Sequence, residues 1–181
     1  MEYPASGFHV THGYMPEKGL WYHPGTGTVP LTFTSKKDIA LSLIELIKLA
    51  TSNPSSLPSH VRISGTNHTP LEICEIFNRK AGKKVLELKL LSENEARGFV
   101  DQVTFIPSSG RMDEYDPEYM RDVASRVFLM TGGTGNLDFS KRNDNELVNP
   151  GERKWKWKSI EEYVDELGGL PREDFRGINT E

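Results

Sequence analysis

At 181 residues the chain has the length of one domain, or of one domain with an appendage. Apolar residues at 36 % and charged residues at 27 % permit a sizeable core and exclude wholesale disorder. A net charge of −4 is a poor match for nucleic acid or an anionic membrane surface, and the one cysteine, Cys74, excludes an intrachain disulfide and a cysteine metal cluster.

Prolines 4, 16 and 24 and glycines 7, 13, 19, 25 and 27 punctuate the first 30 residues. They predict loops with short extended pieces around Phe8–His12 and Leu20–Tyr22. The opening Met1–Gly7 has no basic region and no apolar run, so no signal peptide is expected. No segment approaches the roughly 20 apolar residues of a membrane span, which makes a soluble, cytoplasmic protein the expectation. Pro30–Thr34 reads as a short strand.

Residues 36–51 form the clearest helix. Ser35 stands at the N-cap with Asp38 three residues on, and an acid there also suits the helix dipole. Ile39, Leu43, Ile47 and Ala50 recur at helical spacing, widened by Ala40 and Ile44. Lys36 and Lys37 oppose the dipole and read as a solvated face or an anion contact. Val61–Gly65 is predicted as a strand. Thr69-Pro70-Leu71-Glu72 opens a second helix whose Ile73, Ile76, Phe77 and Ala81 share one side, with Gly82 as the stop. Cys74 falls beside that stripe and reads as a small core residue. Val85–Leu90 alternates with period two, as a half-buried strand does. Further helices are expected at 92–100, at 116–131 with Met120, Val123, Val127 and Met130 on its apolar side, and at 158–167, the last stopped by Gly168 and Gly169. The domain organisation is a single domain, 1–181. It has a loop-rich segment with short strands (1–34), an α/β core (35–131), and a loop with the C-terminal helix (132–181).

Several clusters carry a chemical reading beside a plainer one. His9, His12 and His23 are spaced as surface or core histidines more than as metal ligands, so no metal site is expected. Asp113, Glu114, Asp116 and Glu118 lack the alternation and central glycine of a calcium loop and read as helix-start charge. Lys154-Trp155-Lys156-Trp157-Lys158 alternates cations and rings as single-strand binders do. An edge strand or extended tail with both tryptophans packed on one side and the lysines outside accounts for it without nucleic acid.

The order of motifs carries a resemblance. Gly27–Ala40 with its Asp38-Ile39-Ala40, a helix, Val61–Gly65, Thr69–Phe77, Gly82–Val85 and Ser159–Val164 follow one another as in the C-terminal half of the NmrA-like, isoflavone-reductase-like branch of the atypical short-chain dehydrogenases. The match covers about residues 7–167. The resemblance implies an α/β, truncated Rossmann-like domain of three or four strands and about five helices, mainly the substrate-binding portion. It implies a NAD(P)-dependent oxidoreductase acting on a small aromatic or secondary metabolite. The segment matching Gly7–Tyr14 would run past the substrate pocket, which makes Phe8, His9, His12 and Tyr14 the candidate ligand contacts. NADP(H) is implied by family alone: the half that carries its glycine-rich phosphate turn, and the catalytic lysine or tyrosine, has no counterpart in these 181 residues.

Arg126–Leu137, with Thr131-Gly132-Gly133-Thr134-Gly135, looks like that phosphate fingerprint. Its context predicts a helix C-terminus followed by a glycine loop, because Asp138 takes the third glycine position and no apolar helical stripe follows. No cofactor-binding residue is therefore assigned. Two other functions fit: a cofactor-free isomerase or cyclase using His9, His12, Tyr14 or Asp38 as acid and base, and a non-catalytic regulatory or protein-binding module that dimerises or docks a partner through an exposed sheet edge.

Overall fold

The computed structural model describes residues 13–15, 18–96 and 135–171. Five described strands lie in two small sheets. In the first, β1 (Tyr14–Met15) runs antiparallel to β2 (Leu20–Pro24), and β2 runs parallel to β5 (Glu87–Leu91) with Leu20 opposite Glu87. In the second, β3 (Leu31–Phe33) pairs antiparallel with β4 (Thr66–His68), Leu31 opposite His68. With helices α1 (Lys36–Ser52), α2 (Pro70–Ala81), α3 (Asn145–Val148) and α4 (Ile160–Glu166), the architecture is mixed α/β.

The helix boundaries follow the capping chemistry. The Ser35 hydroxyl accepts from the Asp38 amide at 3.0 Å and starts α1. Thr69 with Glu72, and Ser159 with Glu162, form reciprocal capping boxes at α2 and α4. These backbone and side-chain bonds hold the carboxyls of Glu72 and Glu162 below the usual glutamate range. Gly82 ends α2 in the left-handed region at φ 65°.

Two strand predictions shift. Val61–Gly65 is irregular, and β4 begins at Thr66, because the earlier backbone bonds to the 144–145 segment instead of to a strand. The Arg62 amide donates to the Asp144 carboxylate and the Asp144 amide to the Arg62 carbonyl, both at 2.7 Å. The Asn145 side chain takes both the amide and the carbonyl of Ser64 (3.0 and 2.6 Å). Gly65 lets this segment approach β3: a Cβ there would stand 2.8 Å from the Phe33 carbonyl oxygen. Likewise β5 starts at Glu87, not Val85, because the Asn78 side chain occupies the amides of Val85 and Leu86.

The core joins Trp21, Leu31, Leu86, the inner side of α2 (Ile73, Cys74, Ile76, Phe77) and Ile160 and Val164 of α4. α2 lies between β5 and α4. The apolar stripe of α1 takes no part. Ile39, Leu43, Ile44 and Ile47 are about half exposed, and the residues that α1 buries are Asp38 and Ser42. The reason is that the polar side of α1 carries its attachments. The Asp38 carboxylate accepts from the Lys158 amide at 3.0 Å, and Glu45 pairs with Lys154. The expected helix at 116–131 and the extended piece at Phe8–His12 lie outside the described residues, and of 92–100 residues 92–96 are described, 93–96 as helix. No described helix is long and apolar enough to cross a membrane.

Candidate functional site

Of the four predicted ligand contacts, Tyr14 is described; Phe8, His9 and His12 lie outside the described residues. Tyr14 stands in register with Trp21 across β1 and β2, with ring centroids 5.9 Å apart and planes at 83°. Trp21 meets His23 edge-on in turn, 5.9 Å away at 88°. Period two along β2 puts Trp21 and His23 on one face, so three rings form a row across the first sheet. His23 is 1 % exposed and Trp21 is 6 % exposed, while Tyr14 is half-buried. Trp21 and His23 were not among the predicted contacts. The signal for them is the alternation Trp21-Tyr22-His23 next to a glycine turn.

Gly19 makes that turn at φ 62°, and its carbonyl accepts from the Glu87 amide at 2.8 Å. A side chain there would meet the Val85 carbonyl oxygen, 2.7 Å from a Cβ. The row therefore sits on a backbone crossing that tolerates only glycine. Lys89 on β5 and Lys84 just before it flank Glu87 and hold its carboxyl down to about 2. The strand edge beside the row is thus charged and internally paired.

Asp38 is bonded within the fold, and its suggested acid–base partners His9 and His12 lie outside the described residues. Its carboxylate accepts from the Ser35 hydroxyl at 2.8 Å and from the Lys158 amide, and it is 2 % exposed. Cys74 is buried, and burial together with Glu75 pushes its thiol up to about 12. It is a core group and no nucleophile. Iodoacetamide at about pH 8.5 is expected to leave native Cys74 unmodified and to alkylate it readily in urea, read by intact mass. Rapid native labelling would show that α2 opens locally.

Among the described residues, no group of three His, Cys, Asp or Glu stands close enough to hold a metal ion. The acidic cluster 113–118 lies outside the described residues. Of the fingerprint-like Arg126–Leu137, residues 126–134 lie outside the described residues. Residues 135–142 form turns and lead into the four-residue α3. The Asp138 carboxyl is held below the usual range by Ser140. This loop clamps the second sheet: the Thr32 amide donates to the Leu137 carbonyl at 2.9 Å and the Phe139 amide to the Thr32 hydroxyl at 2.8 Å.

The basic-aromatic stretch 154–158 leads into α4 without forming a helix or a strand, with Trp157 buried and Trp155 half-buried. Trp155 and Trp157 meet at 5.3 Å, and each lysine has an acidic neighbour: Lys154 pairs with Glu45, Lys156 stands 4.0 Å from Glu162, and Lys158 pairs with Glu166. Cations already matched by carboxylates make a poor phosphate track. Comparison with protein-family models gives no match, and neither does comparison with curated protein sequences.

Proposed function

We propose that the chain is the substrate-binding portion of an NmrA-like NAD(P)-dependent oxidoreductase and takes a small aromatic or secondary metabolite. The observation that carries this reading is that its motifs, distant in sequence, touch in space. Asp38 of Asp38-Ile39-Ala40 accepts from the Lys158 amide, immediately before Ser159–Val164. Gly65, which closes Val61–Gly65, abuts Phe33 of the Gly27–Ala40 run. The Thr69-capped α2 packs on α4. Tyr14, the half-buried member of the ring row, is the described residue of the four implied ligand contacts and supplies an aromatic surface for stacking. NADP(H) belongs to this reading by resemblance only, and no step is assigned through it.

A titration tests the reading. The purified chain is expected to show no saturable NADPH binding below about 1 mM, and to bind planar phenolic ligands with quenching of tryptophan emission. Tyr14→Ala is expected to weaken that quenching roughly tenfold, the scale of one lost ring contact. Micromolar NADPH binding would mean that the chain builds its own dinucleotide site. Failure of every phenolic probe would remove the substrate-site reading. A second reading, a non-catalytic protein-binding module, is favoured by one observation: the half-exposed apolar side of α1.

A further inference from the structure

We propose that the apolar face of α1 is a self-association surface that takes α1 of a second copy of this chain in antiparallel orientation. The inference stands independently of the oxidoreductase reading. Ile39, Leu43, Ile44 and Ile47 are 52, 56, 48 and 56 % exposed, and Ala40 and Ala50 are exposed beside them. This is the largest group of exposed branched aliphatics among the described residues. Together these side chains present on the order of 400 Å² of apolar surface, the scale of a functional patch.

The pattern fits a second copy. Ala40, Leu43, Ile47 and Ala50 repeat at spacings of three, four and three, the seam of two packed helices. Read backwards, the seam is again alanine, branched aliphatic, branched aliphatic, alanine. A two-fold axis across the middle of α1 therefore sets Leu43 against Ile47 of the other copy and lets the alanines approach closely at both ends.

Charge selects the direction. α1 carries Lys36 and Lys37 at its positive end and no basic residue in its last turn. In an antiparallel pair each Lys36-Lys37 lies beside the carbonyl end of the other helix, where cations are favoured. In a parallel pair these lysines would face each other. Glu45, tied to Lys154 and Lys48, lies on the opposite side of the helix and stays clear of the seam. The predicted alternative is an exposed sheet edge; β5, at one end of the described three-stranded sheet, carries Glu87 and Lys89, which guard an edge against pairing. At about 400 Å² per copy, half a standard interface, the expected dimer is weak, with a dissociation constant on the order of 10–100 µM.

Sedimentation equilibrium of the full chain from about 5 to 500 µM covers that range. Wild type is expected to pass from monomer to dimer. Leu43→Glu and Ile47→Lys, each at a half-exposed position, are expected to stay monomeric with unchanged circular dichroism and melting. Mixing the two variants is expected to restore association, since antiparallel packing sets position 43 against position 47. Restoration by Leu43→Glu with Leu43→Lys instead would mean parallel packing and overturn the orientation. Dimers insensitive to both substitutions would move the interface elsewhere, the β5 edge first. A wild type that is monomeric throughout would sink the proposal and leave α1 to a different protein or to another part of this chain. If either variant melts early, Leu43→Ala with Ile47→Ala repeats the measurement without a buried-charge penalty.

Discussion

Asn78→Ala is expected to lower the unfolding free energy by roughly 4 kcal/mol, the cost of leaving three backbone groups without their partner. The Asn78 Oδ1 accepts from the amides of Val85 and Leu86 at 2.7 and 2.9 Å, and its Nδ2 donates to the Leu86 carbonyl at 2.9 Å. Leu86 is almost fully buried, so water cannot replace these bonds without opening the core. Asn78→Asp keeps both acceptor contacts but sets a carboxylate oxygen against the Leu86 carbonyl in place of the donor, so it too is expected to destabilise, by about 2 kcal/mol or more. Urea unfolding measures both, and hydrogen exchange locates the effect. In the alanine variant the amides of Val85 and Leu86 should exchange early while those of β4 keep their protection. A cost below about 1 kcal/mol for alanine would show that the turn after α2 is held by packing alone.

The same asparagine shows where sequence reading stops. Val85–Leu90 has the alternation of a strand, and the strand is there, but its start is set by a side chain from the preceding helix. Period two cannot report that, because an amide bonded to Asn78 and an amide bonded to a neighbouring strand leave the same apolar pattern. Val61–Gly65 fails for the same cause: its partners, Asp144 and Asn145, lie about 80 residues away in a loop without periodicity. What local chemistry decides was legible. Ser35 and Thr69 start their helices and Gly82 stops one, since a cap needs only residues within a turn of it, whereas the last helix begins at Ile160 behind a Ser159 cap and not at Lys158.

α1 is the instructive case for packing. Its span and cap follow from the sequence, yet the face it buries is the polar one. An apolar stripe marks a side that prefers cover without saying what provides it. Here Asp38 and Glu45 find specific partners in 154–158, and these fix the helix by its other side. The candidate ligand site was legible only in part. Tyr14 heads the ring row, whereas Trp21 and His23 join it through strand register, which no single-strand pattern contains.

Asp38→Ala is expected to cost roughly 3 kcal/mol, and Asp38→Asn about 1, because an amide oxygen still accepts from the Lys158 amide without the charge. The two substitutions separate positioning from acid-base chemistry. A general acid or base in a cofactor-free enzyme is abolished by asparagine at unchanged stability. A buried carboxylate that joins the start of α1 to the start of α4 behaves the opposite way. Asparagine leaves ligand-induced quenching near that of wild type, and alanine loses stability by detaching 154–158 from α1. The expected signature is therefore a graded fall in the urea midpoint at constant slope, with tryptophan emission from Trp155 and Trp157 shifting red in the alanine variant before global unfolding. Equal stability of wild type, asparagine and alanine variants would mean that Lys154–Glu45 and the packing of Trp157 hold the two segments together without Asp38. The conjunction of the first and last motifs of the resemblance would then rest on side-chain packing and not on this hydrogen bond.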